Sequence, residues 1–384
     1  MPAKILPRLL HKRPLYIIGL NSGTSADGID LALVRFNPSK KPEVMDSQTY
    51  SYPMGINWRI LALAEPESVD GEEWLALDYV LGNIYGHCVR RFASKMTKAG
   101  GTVDLVGSHG QTIRHLPGAN DQALTLQVGD PALIAEISGL PVVADFRRSD
   151  IAAGGEGAPL SPILHEALFR SKTKWRAIVN IGGIANVTIL PPLNSRQKPI
   201  AGDSGPGNML IDMAMRKLFA RHYDFNGRMA QKGKANSSFV AKTLKTPFFR
   251  LRPPKSTGRE LFGASFLKKA MSTLRGLRPE DLIATLTEIT ISSIADFIER
   301  FGPKIEEIYL CGGGAKNRYI LNRLRESFAP KAVETTTPLG YDSDYLEALL
   351  WAHLAYCFID QRHIDAANYT GARNPYIPGK LCLP

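Results

Sequence analysis

A chain of 384 residues, 44% hydrophobic and 22% charged, has the make-up of a globular protein too long for one simple core, so two lobes are expected. Its formal charge of +11 brings nucleic acid to mind as a partner, but no zinc-finger, recognition-helix or RNA-binding motif accompanies it, and a basic balance equally suits an enzyme of phosphorylated or carboxylated small molecules. No run of about 18 apolar residues offers a membrane span, and Cys88, Cys311, Cys357 and Cys382 lack C-x-x-C spacing, which argues against a zinc or disulfide framework and for a reducing cytoplasm.

Residues 1–13 carry Lys4, Arg8, Lys12 and Arg13 without the apolar core of a signal peptide, and read as a mobile basic arm. Residues 16–20 and 31–36 have strand composition. Between them lie Gly23, Thr24, Ser25, Ala26, Asp27, Gly28, Ile29 and Asp30. Such a turn offers backbone N–H groups and hydroxyls to an anion, and its two carboxylates could hold a hydrated metal. An ordinary β-hairpin would use the same letters. Residues 57–98 carry helical periodicity, with Trp58, Trp74 and Tyr85 expected in the core. Residues 105–107 read as a short buried strand opening onto a polar loop, 108–115, which holds His109, Gln111 and Thr112. Another strand, 140–144, runs into Asp145 and Arg147, followed by a glycine-rich loop over 152–160 and a helix over 161–169.

A second hairpin follows, with strands 177–181 and 185–190 around Gly182 and Gly183. Two strand–glycine turn–strand units suggest two lobes of similar topology, each turning a hairpin toward phosphate, although unrelated hairpins are common in α/β proteins. Asp203, within residues 202–208, reads as an acid at a strand end, where glycines let another backbone approach; Asp145 is its rival as a catalytic carboxylate. Residues 222–256 read as loops. Thr257 and Glu260 fit a capping box, and a helix is expected from Pro279 to just before Gly302. After a strand at 305–310, Gly312, Gly313 and Gly314 lead through Asn317 into a helix, a turn on which a flat ligand could lie. Glu347, in an apolar helix over 344–352, is either a satisfied core acid or a ligand contact.

No Walker A, G-x-G-x-x-G, H-E-x-x-H or G-x-S-x-G pattern is present, which disfavours P-loop ATPases, Rossmann dehydrogenases, zincins and α/β-hydrolases. The ordered segments 22–30, 107–112, 144–147, 180–187, 202–208 and 311–314 resemble the motifs of the anhydro-N-acetylmuramic acid kinase family, over about residues 16–352. The resemblance implies an α/β, two-lobed actin-like ATPase fold, a ribonuclease H-like duplication with a central cleft. Residues 1–13 would be the arm, 14–145 the first lobe completed by 359–384, and 146–358 the second. It also implies ATP and magnesium as cofactors, and a reaction that opens the 1,6-anhydro ring of anhydro-N-acetylmuramic acid and phosphorylates O6 for cell-wall recycling.

On that resemblance Asp203 is the catalytic base. Residues Gly23 to Asp30, with Gly182, Gly183 and Asn186, receive phosphate, and Gly312, Gly313, Gly314 and Asn317 serve adenosine. His109, Gln111, Thr112, Arg147, Gly205 and Glu347 meet the sugar, and Asp27 or Asp30 holds magnesium through water. The resemblance also suggests a cytoplasmic homodimer, with no nucleic-acid or membrane partner. Two residues depart from the family's habit: Asn21 stands where bacterial members usually have Met, and Ser204 where Cys is often found. Asn21 is similar to the residue of levoglucosan kinases, which makes anhydroglucose the alternative substrate. Ile113, Arg114 and His115 look muramate-like, and an arginine or histidine there could pair with the lactyl carboxylate, a solvated pair being the plain alternative. Two other readings keep the fold: an ATP-gated binding protein without chemistry, and a sugar kinase lacking the hydrolytic step.

Overall fold

Strands of apolar residues bounded by glycine turns set the architecture. A computed structural model describes residues 5–23, 26, 28–64, 71–98, 100–118 and 123–384. The chain divides into two units: one comprises Met1–Leu164, Tyr345–Ala367 and Gly371–Pro384, the other His165–Asp344 and Asn368–Thr370. The boundary therefore falls about twenty residues later than expected from sequence, and the helix Leu346–Ile359 packs with the first unit rather than the second.

In unit one, β1 (Leu15–Ser22), β2 (Ile29–Phe36) and β3 (Glu43–Tyr50) form an antiparallel meander. The next strands are β4 (Leu105–Leu116), which runs parallel to β1, β5 (Leu124–Val128), which pairs antiparallel with β4, and β6 (Val142–Ala144), parallel to β4. In unit two, β7 (Arg176–Ile181), β8 (Ile184–Leu190) and β9 (Ile200–Pro206) form a second meander. Then β10 (Glu307–Cys311) pairs parallel with β7, and β11 (Ala332–Thr335) parallel with β10. Finally β12 (Lys380–Cys382) returns to pair with β6. The sheet orders are β12-β6-β4-β1-β2-β3, with β5 beside β4, and β11-β10-β7-β8-β9. Each contains a three-strand meander whose first strand is joined by two successive parallel strands, so the duplication suspected from the two glycine hairpins extends to a shared five-strand core, to which the first sheet adds β5 and β12.

A long helix precedes the first parallel strand in each unit. In Gly71–Lys98, Leu77, Leu81, Tyr85, Val89 and Phe92 recur at helical spacing and are buried, each contributing roughly 1.5–3 kcal/mol. In Pro279–Phe301 the acids Glu280 and Asp281 sit in the first turn and Gly302 caps the end, as expected. Helix Leu346–Ile359 lies against β1 and β4 at backbone contact distance. A Cβ on Gly19 would fall 1.7 Å from the Ala348 carbonyl oxygen, and one on Gly107 2.2 Å from that of Trp351.

Several local expectations change. Residues 108–115 are strand, because β4 continues through them to pair with β5. Trp58 is 65% exposed, whereas Tyr85 is fully buried. Residues 222–256 include the short helices Arg228–Lys232, Ser237–Thr243 and Pro247–Arg250. The basic arm is helical over Ile5–His11 and docked: Leu9 is buried, Arg8 and Lys12 reach the buried Asp104 at 3.2 and 2.5 Å, and Arg13 reaches Asp360 at 2.8 Å.

Candidate active site

In unit two, cross-strand pairing lines up Asn180 on β7, Asn186 on β8 and Asp203 on β9. Directly opposed residues share a sheet face, so one polar row crosses three largely apolar strands. Asp203 lies within β9 rather than at its end, and only 6% of it is exposed. Its Oδ2 accepts the Thr257 backbone N–H at 2.8 Å and the Ser256 hydroxyl at 3.3 Å. Neither donor reaches Oδ1. Burial pushes the Asp203 carboxyl up to about 7, against the lowering effect of the Thr257 and Ser256 hydrogen bonds and the Lys255 charge. Lys255 is itself held down to about 8 by burial, with its ammonium on the Phe248 carbonyl and 4.3 Å from that ring's centroid. The expected capping box is displaced by this arrangement. Thr257 gives its N–H to Asp203, and Gly258 takes the N-cap position of Arg259–Phe262.

The glycine turns of unit two converge on the same row. The Gly182 and Gly183 carbonyls accept the Asn208, Gly207 and Met209 N–H groups at 2.8–3.1 Å, which fixes the hairpin. Gly312 has φ +75° and lies so near β7 that a Cβ would meet Asn180 Oδ1 at 2.3 Å, and a Cβ on Gly314 would meet Ile181 Cγ2 at the same distance. A Cβ on Gly313 or Gly183 would make ordinary van der Waals contact, with nearest neighbours at 3.9 and 3.4 Å. Asn317 is committed to capping the helix Arg318–Phe328, its Oδ1 accepting the Tyr319 and Ile320 N–H groups. Gly205 is turned inward, its Cβ side filled by Phe249 and Ser293.

In unit one the first hairpin is held from below. Ser22 Oγ donates to Gln111 Oε1 and contacts the Tyr52 hydroxyl at 2.5 Å, while Gln111 Nε2 donates to the Gly23 carbonyl at 3.3 Å. Gln111 has no exposed surface, so its amide is an internal strut. Ala26 and Ile29 are buried, Gly28 abuts Thr49, and Asp30 accepts the Thr49 hydroxyl at 2.7 Å. Thr24, Ser25 and Asp27 lie outside the described residues.

The other sugar candidates gather around helix Leu346–Ile359. Asn21 Nδ2 donates to Glu347 Oε2 at 2.9 Å, and the Trp351 indole N–H donates to Asn21 Oδ1 at 2.9 Å. The Trp351 ring stacks on His109 with centroids 4.1 Å apart. Arg147 Nε donates to His109 Nε2 at 2.7 Å and Nη1 to the Gly157 carbonyl at 2.9 Å. Burial, and then the Arg147 charge, hold His109 well below its ordinary value and His115 down to about 3. Arg114 donates to the Ala64 carbonyl at 3.4 Å, and Thr112 accepts from Gln127. Asp145, the rival base, is committed to Lys380 at 2.9 Å and Arg148 at 3.8 Å near the surface. Trp351, Lys255, Ser256 and Thr257 are absent from the sequence-based site. Their contacts with Asp203 and Asn21 span from just over fifty to 330 positions, and no local pattern announces them.

The chain is thus a two-unit α/β protein whose second meander sheet carries a buried carboxylate beside glycine turns fixed by backbone hydrogen bonds. A family model described as anhydro-N-acetylmuramic acid kinase matches residues 15–383, and the chain belongs to that family. Proteins named anhydro-N-acetylmuramic acid kinase from Haemophilus influenzae and Saccharophagus degradans are 38% and 40% identical to it. Each match covers 97% of this chain, and 99% and 100% of those proteins respectively. Among solved structures, component A of the Acidaminococcus fermentans (R)-2-hydroxyglutaryl-CoA dehydratase aligns with a TM-score of 0.44 and 14% identity, over 90% of this chain and 99% of that one. A glucokinase from Streptomyces griseus, in complex with glucose and AMPPNP, aligns with a TM-score of 0.37 and 12% identity, over 88% and 98%.

Proposed function

We propose that the chain hydrolytically opens the 1,6-anhydro bridge of anhydro-N-acetylmuramic acid and transfers the γ-phosphoryl group of ATP to the freed O6, giving N-acetylmuramic acid 6-phosphate for cell-wall recycling. The observation that carries this reading is Asp203: a buried carboxyl raised to about 7, with both donors on Oδ2. Ring opening needs water to attack the anomeric carbon as the C1–O6 bond breaks. Asp203 Oδ1 takes the proton of that water, and Thr257 and Ser256 hold the carboxylate in place. O6 then attacks the γ-phosphorus in line as the bond from phosphorus to the β–γ bridging oxygen breaks and ADP leaves. A carboxyl near neutrality is ionised often enough to be a base and is basic enough to pull the proton.

The bare backbones of Gly313 and Gly183 suit close approach of the flat purine and the phosphate chain of ATP, since a longer side chain there would stand in the way. Magnesium, which spreads the charge of the transferring phosphoryl group, would be held through water by Asp30 and Asp27. Among the described residues no three His, Cys, Asp or Glu side chains cluster as direct ligands. Arg147 and Glu347 serve the sugar on the family resemblance, and their mutual connection in unit one supports that role. Asn21, which introduced levoglucosan as an alternative, commits both ends of its amide to Glu347 and Trp351. We take the enzyme to be a cytoplasmic homodimer, and sedimentation velocity tests the dimer.

Incubation with ATP, magnesium and, separately, anhydro-N-acetylmuramic acid, levoglucosan and N-acetylmuramic acid tests the function. Phosphorylation of the first alone is expected. Turnover of only the unbridged sugar would remove the hydrolytic half of the reaction.

A further inference from the structure

Glu347 and Arg147 come from different elements of unit one, yet one run of side-chain contacts joins them. Its polarity is fixed from both ends. An indole N–H only donates, so the Trp351 bond identifies the facing Asn21 atom as Oδ1 and turns Nδ2 toward Glu347. An amide NH2 also only donates, so Glu347 Oε2 is held as an acceptor. At the other end the Arg147 guanidinium only donates, so His109 Nε2 accepts and the neutral ring carries its proton on Nδ1. Trp351 joins the two halves: its N–H sets Asn21, and its face seats His109 at an interplanar angle of 13°. Behind Arg147, the Gly157 carbonyl accepts Nη1, and the Gly157 N–H is held at 2.7 Å by Asp150, which has no exposed surface.

This polar chain sits in apolar surroundings. Asn21 follows Ile17, Ile18 and Leu20 on β1, all fully buried, and Trp351 lies on a helix whose neighbouring positions Leu349, Leu350 and Ala352 are buried and apolar. Buried amide and indole N–H groups are costly unless every partner is met. A position needed only for packing is served by an apolar residue, whereas this chain joins the two charged groups assigned to the sugar.

We infer that Asn21 and Trp351 are positioning residues for the reaction: they hold Glu347 as an oriented acceptor and, through the His109 stack, fix the Arg147 fork, so that two sugar-facing charges from separate elements share one geometry. The inference rests on the proposed sugar roles of Glu347 and Arg147.

Steady-state kinetics of the full chain on anhydro-N-acetylmuramic acid test it, with Trp351→Phe, Asn21→Asp, Glu347→Gln and the double variant Asn21→Asp/Glu347→Gln. Trp351→Phe keeps the ring on His109 and deletes the N–H that orients Asn21; kcat/KM for the sugar falls about tenfold while KM for ATP stays within about twofold. Asn21→Asp sets acceptor against acceptor at Glu347 and costs more. In the double variant the Gln amide donates to the Asp carboxylate, so its loss is no greater than that of Glu347→Gln alone, an outcome that mere packing does not produce. Sugar kinetics unchanged in Trp351→Phe, or losses that multiply in the double variant, overturn the inference. Where Asn21→Asp fails to fold, Trp351→Phe decides alone. Glu347→Gln with unaltered sugar kinetics instead sinks the assignment of Glu347 to the sugar, a separate failure.

Discussion

Asp203 accepts the Thr257 backbone N–H at 2.8 Å on Oδ2, the same oxygen that the Ser256 hydroxyl reaches, and neither donor touches Oδ1. One oxygen anchors the group and leaves the other for the water that the proposed mechanism requires. Replacing Asp203 with Asn keeps the shape and removes the base, so kcat should fall by about 10²–10⁴-fold. Nucleotide affinity, measured by titration with a fluorescent ATP analogue, should stay within about twofold. With the carboxyl at about 7, wild-type kcat/KM should drop as pH falls through that value. A profile flat from pH 5 to 8 would exclude Asp203 as the titrating base.

The same burial has a consequence for stability. Asp203 binds its proton more tightly folded, at about 7, than unfolded, near 3.8. Between those values the folded chain holds a proton that the unfolded chain has released, so stability falls as pH rises from about 4 to 7 and then levels. The amide introduced by Asp203→Asn binds no such proton. That variant should gain on wild type by on the order of a few kcal/mol between about pH 5 and pH 8. Urea unfolding at the two values measures this, and parallel pH dependences would contradict it.

Two neighbours should move the acidic limb in opposite directions. The Lys255 charge lowers Asp203 and the Glu260 charge raises it. Lys255→Met should shift the limb to higher pH, and Glu260→Gln to lower pH, each by about one unit or less. Equal shifts of one sign would mean that the limb reports another group.

Much of this was legible in the letters, for identifiable reasons. Gly182 and Gly183 between two apolar runs marked the second hairpin, because turn chemistry and strand composition are both local. Asp203 stood out through its glycine neighbours, although its partners did not: Ser256 and Thr257 lie more than fifty positions away, and Thr257 advertised a cap it does not make. Residues 108–115 looked like a loop because Ser108, His109, Gly110 and Gln111 lower the strand signal, yet pairing with β1 at Ser108 and with β5 from Gln111 onward keeps the segment in the sheet. Trp351 stood unmarked in an apolar helix. Its role depends on Asn21, 330 positions earlier, which no periodicity connects to it.

The docked N-terminal helix gives a further prediction. The Asp104 carboxylate is fully buried and takes Lys12 at 2.5 Å, Arg8 at 3.2 Å and the Tyr16 N–H at 3.0 Å. Lys12→Met removes the closest charge, while the exposed Arg8 and the backbone donor remain. The expected cost is about 1–3 kcal/mol, read as a lower urea midpoint with an unchanged slope. Asp104→Ala should cost at least as much, because it leaves the Tyr16 N–H without its partner. A variant shortened to begin at Pro14 should lose stability similarly; a midpoint equal to that of the full chain would mean that the arm does not hold the sheet.

Gly19 and Gly107 should be the least replaceable positions in unit one. Their Cβ atoms would fall 1.7 and 2.2 Å from the Ala348 and Trp351 carbonyl oxygens, and both obstacles are backbone atoms of one helix, which no side-chain rotation can clear. Gly19→Ala must therefore push the whole helix Leu346–Ile359 off β1, and Gly107→Ala must push it off β4. Each should cost about 3 kcal/mol or more, and each displaces Glu347 and Trp351 from Asn21. Sugar turnover should thus fall further than the unfolded fraction explains. Gly71→Ala is the control, since a Cβ there meets none of the described residues within 4 Å, and it should leave stability within about 0.5 kcal/mol. Thermal melts paired with activity at a temperature where all three variants are folded separate the two effects. A Gly19→Ala protein with the wild-type melting temperature would show that the helix does not lie against β1 at this distance.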